Sequence, residues 1–338
     1  MHLSDDAYAL VMACSYVGLD RRSSLLPFSL KEWNNLVKKI DASQMGSVTP
    51  GALLGQPAET LEKQLQLSPE ESGRLAQLLD RGGAVGFALE ELQAQGIMVI
   101  TRADENFPQR LKEKLKSSAP VVLFYAGPLA LAGRKGVAIV GSRAVNQDDA
   151  AGKFTERIAE LCARDRLNVV SGGAKGVDII SMRTVLQRDG KAIGVMSDSL
   201  AKKILEREAR QYVTEERLLL LSPFHPDTGF QVANAMSRNK VIYALADYAV
   251  VVSSDFEKGG TWAGAIENLR QKYAPLFVRA GENVPEGNRK LLEKGGVPLD
   301  LKDYELSALS LEEFFAQRST MEKELMKVVD RQVDLFSK

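Results

Sequence analysis

The chain has 338 residues, of which 45% are hydrophobic and 26% charged, a composition typical of a globular protein with one large α/β domain and a smaller one. Its 44 basic and 44 acidic side chains cancel, so no overall charge draws the protein to nucleic acid or to an anionic membrane, and phosphate binding requires a local cluster. The two cysteines and two histidines lack the spacing of a metal site or a disulfide framework, so we expect neither a metal nor another cofactor.

The N-terminus, MHLSDDAY, is acidic and lacks the basic and apolar regions of a signal peptide. The longest apolar runs have the length of a strand rather than of a membrane span. The sequence therefore predicts a cytoplasmic protein that does not associate with membranes.

The first 95 residues predict short helices joined by loops. Ser29 and Glu32 have the spacing of a capping box, and apolar residues follow them at helical intervals. Ser68 and Glu71 repeat this spacing, with Pro69 at the first helical position. Such a segment is too small for an enzyme core, so we interpret it as an accessory module that either binds nucleic acid or a partner, or packs as an appendage.

From Gly136 onward, short apolar runs alternate with segments of helical length. The runs lie at 137–140, 168–170, 192–196, 217–221, 249–252 and 276–278. Continuous apolar strands with helices between them indicate an α/β fold with a doubly wound, Rossmann-like and mainly parallel sheet. Two earlier runs, 97–101 and 121–125, either extend this sheet or bridge the domains.

Beyond residue 310 the pattern is helical only. We therefore divide the chain into three parts. They are a small helical, SAM-like N-terminal module at 1–95, a Rossmann-like domain at 96–310 and a C-terminal helical tail at 311–338.

The residues that follow the strands are the candidate binding site, because a doubly wound sheet binds its ligands beyond the carboxyl ends of its strands. Glycines there let a phosphate approach the backbone, and cationic side chains add charge. Three loops carry glycines and two of them also carry a cation, which favours an anion site over three ordinary turns. The predicted phosphate-binding residues of these loops are Gly141, Ser142, Arg143, Ser171, Gly172, Gly173, Lys175, Gly259, Gly260 and Thr261.

Arg238, Asn239 and Lys240 lie at a predicted helix start between the fourth and fifth strands of this domain. Two charges at a helix end are ordinarily a solvated surface. Their position near the same sheet edge as Arg143 and Lys175 favours a binding role, so we add all three to the predicted site.

These loops do not match the common nucleotide-binding motifs. In GGAKG no serine or threonine follows the lysine to hold magnesium, and no G-x-G-x-x-G follows the first strand of the domain. Neither histidine has an evident nucleophile partner, and we interpret His225 as a residue that fixes its loop. The sequence predicts a binding site with no catalytic residues.

Four segments of the chain now point to one family. In order, they read GVAIVGSR, VVSGGAKGVD, SRNKVIYALAD and EKGGTWAGAIE. They resemble the DNA-processing protein A family (DprA, also called Smf), over about residues 95–290 and more loosely over the helical N-terminus. The resemblance implies a non-catalytic protein that binds single-stranded DNA in a basic pocket, forms a homodimer and, in transforming bacteria, hands DNA to a recombinase. Matching motifs assign the pocket to Arg143, Lys175, Arg238, Asn239 and Lys240.

The chain departs from the family pattern at three places. Met182 stands where a histidine is usual, SDSLAKKILE lacks the usual tyrosine-proline pair, and the residues after 310 are too few for a winged-helix domain. The departures count against recombinase loading but leave the pocket residues in place. The departures suggest a divergent branch that acts in DNA processing, in recombination or in phage defence.

The leading hypothesis is that the loops hold the phosphates of single-stranded DNA, while Phe224, Phe230 and Trp262 stack on bases. In a second hypothesis, the segment from Gly259 to Glu267 resembles the GGxGTxxE region of lonely-guy phosphoribohydrolases. The protein would then be a nucleotide-binding sensor or a nucleoside-monophosphate phosphoribohydrolase. In a third, it is an antitoxin-like regulatory subunit whose helical ends contact a toxin or another effector protein.

Overall fold

The computed structural model describes residues 3–20, 22–42 and 49–321. The chain forms two compact units. Unit 1 contains Met1–Leu129, Met196–Gln211 and Leu220–Asn234, and unit 2 contains Ala130–Val195, Tyr212–Leu219 and Ala235–Lys338. The boundaries predicted at residues 95 and 310 do not coincide with this division and stay a prediction about which segments fold independently. The end of the predicted tail, from residue 322, lies outside the described residues.

Nine strands and a series of α-helices make up the two units. The strands are β1 (Met98–Thr101), β2 (Val122–Ala126), β3 (Gly136–Val140), β4 (Asn168–Ser171), β5 (Ala192–Val195), β6 (Leu218–Ser222), β7 (Tyr248–Val251), β8 (Leu276–Arg279) and β9 (Val297–Leu299). The helices are α1 (Asp5–Cys14), α2 (Leu30–Ala42), α3 (Ala58–Leu65), α4 (Pro69–Leu79), α5 (Gly82–Ala94), α6 (Gln109–Leu115), α7 (Ala150–Arg164), α8 (Val177–Gln187), α9 (Leu200–Lys203), α10 (Arg207–Thr214), α11 (Val232–Leu245), α12 (Gly259–Gln271), α13 (Glu286–Glu293) and α14 (Leu301–Ser307).

Unit 1 contains the predicted N-terminal helices. The Ser29 N–H donates to Glu32 Oε2 over 2.8 Å, and the Glu32 N–H donates to Ser29 Oγ over 3.3 Å, so α2 begins with a capping box. Ser68 and Glu71 form the same reciprocal pair at the start of α4. Both predicted capping boxes are therefore confirmed. Behind them, the apolar side chains of these helices are buried in the core of unit 1, Trp33 among them.

The predicted sheet is confirmed, with the strand order β1-β2-β6-β5-β4-β3-β7-β8-β9. Each of the six apolar runs from 137 onward lies within or overlaps one of the strands β3 to β8. In unit 2, β3 lies in the middle of six parallel strands. β4 and β5 follow on one side of it, and β7, β8 and β9 follow on the other. In unit 1, β1 pairs antiparallel with β2, and β2 pairs antiparallel with the end of β6, so the two early runs extend the sheet.

The order of the central strands positions the candidate site. The chain runs from β3 outward through β4 and β5, and later returns to pair β7 with the other edge of β3. This reversal is the topological switch point of a doubly wound sheet, where the loops after the strands diverge and leave a crevice. The loops that follow β3, β4 and β7 meet there.

The segment after residue 310 packs on unit 2 as far as the structure describes it. Residues 311–321 are helical, and the Phe315 ring lies 4.3 Å from the Phe277 ring and 5.1 Å from the Tyr248 ring, centroid to centroid. These partners belong to β8 and β7. The residues from 311 to 321 are therefore part of the unit 2 core rather than a free tail. Within the described ranges, no helix is both long enough and apolar enough to span a membrane.

The capping box of α2 predicts an acid-sensitive contribution to stability. Burial raises the pKa of Glu32, but hydrogen bonds from Ser29 and Arg74 outweigh it and lower this pKa to about 2. A carboxylate whose pKa is depressed on folding stabilises the protein above its unfolded pKa and loses that contribution as the pH falls through its folded pKa. We expect Glu32→Gln to cost at most about 1 kcal/mol of unfolding free energy at pH 7, because the pair is largely exposed.

The measurement is thermal unfolding followed by circular dichroism between pH 7 and pH 2. The stability difference between Glu32→Gln and the parent is expected to shrink as the pH falls below 4.5, the ordinary pKa of a glutamate, toward about 2. Glu91→Gln, on the exposed surface of α5, is the matched control. A stability difference that does not change with pH would contradict the assignment.

Candidate functional site

The loops after β3, β4 and β7 contact one another through their backbones. The Ser142 N–H donates to the Ser253 carbonyl over 2.9 Å, and the Val177 N–H donates to the Ser142 carbonyl over 3.5 Å. Gly176 has a φ of +77°, and a Cβ at this position would lie 2.4 Å from the Ser142 oxygen. Only glycine fits this turn without strain, so the turn brings the loop after β3 against the start of α8.

Two exposed cations lie on these touching loops. Arg143 and Lys175 are both exposed, whereas Gly141, Ser142 and Gly173 are half-buried. The Cα of Arg143 lies 2.9 Å from the position of a Cβ on Gly176, which is the residue after Lys175. The structure therefore brings together the two cations that the sequence predicts for these loops. Their guanidinium and ammonium groups supply positive charge at the switch point of a chain that is neutral overall.

Arg238 lies beneath the loop after β4 rather than on its surface. Its side chain is 4% exposed, and Nη1 donates to the Val195 carbonyl over 2.7 Å. A Cβ on Gly172 would lie 1.7 Å from this Nη1, so the guanidinium occupies the space that a side chain there would need. Arg238 thus supports the buried Gly172 from inside, which differs from the phosphate contact predicted for it.

Asp178 is a second buried charge beneath the same loop, and the sequence analysis did not select it. It lies in the first turn of α8, and its Oδ2 accepts a hydrogen bond from the Ala174 N–H over 3.3 Å. Burial raises the pKa of Asp178, and the nearby guanidinium of Arg238 opposes that rise. The two charges therefore hold the GGAKG loop from within, and Lys175 is the member of the loop that faces solvent.

Ser171 also has a structural role. It is the last residue of β4, it is buried, and its hydroxyl donates to the Ile139 carbonyl of the neighbouring strand β3 over 2.6 Å. The hydroxyl is therefore bonded within the sheet, and a phosphate contact of Ser171 stays a prediction.

The start of α12 is fixed to α11 by Asn239. Its Nδ2 donates to the Gly260 carbonyl over 2.9 Å, and Gly264 leaves room for the same amide. Of the other predicted residues, Gly259 is exposed, whereas Gly260, Thr261 and Lys240 are half-buried. Because Asn239 follows Arg238, one turn of α11 supports two of the candidate loops.

The end of β7 is supported by residues that the sequence analysis missed. The Ser254 N–H donates to Asn288 Oδ1 over 2.9 Å, and Asn288 Nδ2 donates to the carbonyls of Val252 and Arg279 over 3.0 Å. Asn288 is fully buried. It lies in the short helix α13, outside the strand and loop patterns that guided the analysis, so only its position in the fold identifies this role.

The three aromatic residues predicted to stack on bases lie in different units. Phe224 and Phe230 belong to unit 1, where Phe224 is half-buried and Phe230 is 53% exposed. Trp262 belongs to unit 2, where its half-buried ring meets the ring of Phe256 edge to face, with centroids 5.1 Å apart. Of the three predicted stacking residues, Trp262 is thus the one that lies in unit 2 with the candidate loops.

The metal-ligating and titratable side chains of the protein bear on which chemistry the site can carry out. Across residues 3–20, 22–42 and 49–321, no group of three or more His, Cys, Asp or Glu residues could hold a metal. Glu267, the acid of the phosphoribohydrolase hypothesis, is half-buried and hydrogen-bonds Tyr273, whose pKa is raised by burial and by this neighbour. Burial also raises the pKa of the Cys162 thiol, which disfavours a reactive thiolate there.

Comparison with known proteins identifies related sequences over the same region. The family described as DNA recombination-mediator protein A matches residues 98–304. The chain is 32% identical over 201 residues to DNA processing protein DprA of Streptococcus pneumoniae, covering 57% of this chain and 67% of that protein. It is 31% identical over 189 residues to DprA of Bacillus subtilis, covering 54% and 61%, and 28% identical over 182 residues to protein Smf of Escherichia coli, covering 53% and 48%. The matches thus span about half to two thirds of these relatives.

Two solved structures are similar to this fold. The X-ray structure of DprA from Streptococcus pneumoniae aligns with a TM-score of 0.56 and 20% identity, covering 81% of this chain and 95% of that one. DNA processing protein A from Helicobacter pylori aligns with a TM-score of 0.50 and 25% identity, covering 62% and 93%. The latter structure is described as showing a unique single-stranded DNA binding mode.

The contact between Gly172 and Arg238 makes a testable prediction. In Gly172→Ala the new methyl group would meet the guanidinium, so we expect a loss of about 1–3 kcal/mol in unfolding free energy, the usual cost of overpacking. Arg238→Met removes the obstructing group, so Gly172→Ala should cost less in that background than in the parent. Urea denaturation of the four proteins of this double-mutant cycle measures the coupling.

Gly133→Ala is the matched control, because a Cβ at Gly133 meets no atom within 4 Å. It should leave stability close to that of the parent. If Gly172→Ala is as mild as Gly133→Ala, or costs the same with and without Arg238, the guanidinium does not fill the space beneath the loop.

Proposed function

The chain belongs to the DNA recombination-mediator protein A family, and from this premise we propose that it binds single-stranded DNA without catalysing a reaction. The DNA backbone lies along the loops after β3 and β4, where Arg143 and Lys175 contact phosphates. The protein acts in DNA processing and recombination. A homodimer and a recombinase partner remain predictions from the resemblance. A place in phage defence remains a prediction from the departures from the family pattern, and an effector partner remains the separate antitoxin-like hypothesis.

One observation carries this proposal: two exposed cations lie on adjoining loops at the switch point. The backbone of Arg143 lies against Gly176, the residue after Lys175, and Arg238 supports the loop that carries Lys175 from inside. Cations on a rigid, glycine-containing surface neutralise phosphates without reading bases. Because the chain is neutral overall, a local pair of this kind has to supply the attraction.

The loop chemistry favours a DNA backbone over a nucleotide substrate. A phosphoribohydrolase needs an acid free to act on the ribose, whereas Glu267 shares a hydrogen bond with Tyr273. Trp262 also fills the position at which the enzyme motif has glycine. Both features support binding without turnover.

We expect Lys175→Ala and Arg143→Ala each to weaken the salt dependence of single-stranded DNA binding. Each lost phosphate contact should reduce the slope of log affinity against log salt concentration by about 0.7. The loss of affinity should be similar for oligonucleotides of unrelated sequence, because backbone contacts carry no sequence information. Fluorescence polarisation with labelled oligonucleotides over a range of salt concentrations provides the measurement.

Arg134→Ala is the matched control, because Arg134 is exposed but lies two residues before the start of β3, at the opposite end of this strand from Arg143. It should keep the parental slope. The proposal is wrong if the parent protein does not bind single strands, and the site is misplaced if both loop variants bind with the parental slope.

A separate prediction concerns turnover. Incubation of the protein with nucleoside monophosphates should release no free base, as measured by liquid chromatography, with or without added Mg²⁺. Release of base by the parent but not by Glu267→Gln would replace the binding proposal with the phosphoribohydrolase hypothesis.

A further inference from the structure

The loop between β7 and α12 carries a pair of aromatic rings. Phe256 lies in this loop and Trp262 in the first turn of α12, and both are half-buried. Their centroids are 5.1 Å apart and their planes are inclined by 84°. In this edge-to-face geometry, the Phe256 ring supports the indole, and the exposed part of the pair is available to a ligand.

The segment that carries Phe256 has a net negative charge, which disfavours a phosphate there. Asp255 and Glu257, on either side of Phe256, are exposed, and Lys258 is the exposed cation next to them. The four residues from 255 to 258 therefore carry a formal net charge of −1, in contrast to the positive charge of Arg143 and Lys175. A flat, uncharged group fits this loop better than an anion, and at neutral pH a nucleobase is such a group.

The aromatic pair is held by the same turn of α11 that supports the GGAKG loop. Arg238 fills the space beneath Gly172, and the next residue, Asn239, donates a hydrogen bond to the Gly260 carbonyl, two residues before Trp262. The guanidinium and the amide thus connect the GGAKG loop and the start of α12 to one turn of α11. Because all these residues lie in unit 2, the GGAKG loop and the aromatic pair have a fixed arrangement. A DNA strand bound at the loop can therefore reach the aromatic pair.

We propose that Phe256 and Trp262 form a stacking platform for one nucleobase of the bound single strand. The proposal rests on the proposed function and divides the ligand between two surfaces: Arg143 and Lys175 take the backbone, and the aromatic pair takes a base. Stacking on an aromatic ring tolerates any base, because every base has a π-face. The platform therefore adds affinity without sequence preference.

The tryptophan content of the chain makes a direct test possible. The two tryptophans are Trp33, which is 3% exposed within unit 1, and Trp262. In a Trp33→Phe background, indole fluorescence reports on Trp262 alone. We expect oligo-dT to quench this emission. The quenching and the fluorescence polarisation of labelled oligo-dT should give the same binding affinity. An abasic oligodeoxyribose phosphate of equal length should bind more weakly and leave the emission unchanged.

Affinity measurements on variants separate stacking from a structural role. Trp262→Ala should bind oligo-dT about 5- to 150-fold more weakly, the range for loss of one stacked base. It should keep the parental salt slope and the parental affinity for the abasic strand. Trp262→Phe retains an aromatic face and should keep most of the affinity, and it remains informative if the alanine variant does not fold.

The outcomes distinguish failure of the stacking platform from failure of the proposed function, single-stranded DNA binding. If oligo-dT binds without changing Trp262 emission, or if Trp262→Ala weakens oligo-dT and the abasic strand equally, the platform is overturned while single-stranded DNA binding stands. If neither oligomer binds the parent protein, the proposed function fails and the platform fails with it.

Discussion

The candidate site depends on one contact, in which the Arg238 guanidinium lies beneath Gly172. Arg238 is buried with its Nη1 on the Val195 carbonyl, in the space that a side chain at Gly172 would need. The residue after it, Asn239, fixes the first turn of α12. A single turn of α11 therefore sets the shape of two loops that belong to different strands, and the exposed groups on those loops take their positions from it.

The polar residues of the site divide into an inner and an outer set. Asp178, Arg238 and Ser171 are buried and bond to the backbone or to one another, whereas Arg143 and Lys175 are exposed. Buried ionisable groups are a poor source of net stability, because their desolvation cost offsets their attractions, so we assign the inner set the role of fixing loop geometry. The outer set can then contact a phosphate with little rearrangement of the loops, which lowers the entropic cost of binding.

Much of the fold follows from patterns in the sequence, because continuous apolar runs and capping spacings are local signals. Eight of the nine strands overlap predicted runs, and β9, only three residues long with an exposed Pro298 in its middle, gives no such signal. The loops of the site were predictable from strand topology. The direction of Arg238 was not, because a charged residue is normally assigned to the surface. A signal was nevertheless present, since Arg238 continues the helical stripe of the buried Val241, Ile242 and Leu245.

The strand order also has a consequence for the assembly of the protein during synthesis. β7 pairs with β3 although β4, β5 and β6 come between them in the chain, so the centre of the sheet is completed by a long-range contact. A ribosome releases Lys175 well before α11, whose Arg238 guanidinium fills the space beneath the Lys175 loop. Lys175 is therefore synthesised before the residue that supports its loop, and this support is complete only once α11 is in place. In the proposed complex, a DNA strand would contact segments that are synthesised early and segments that are synthesised late, so its binding would protect the folded sheet against unfolding by mass action.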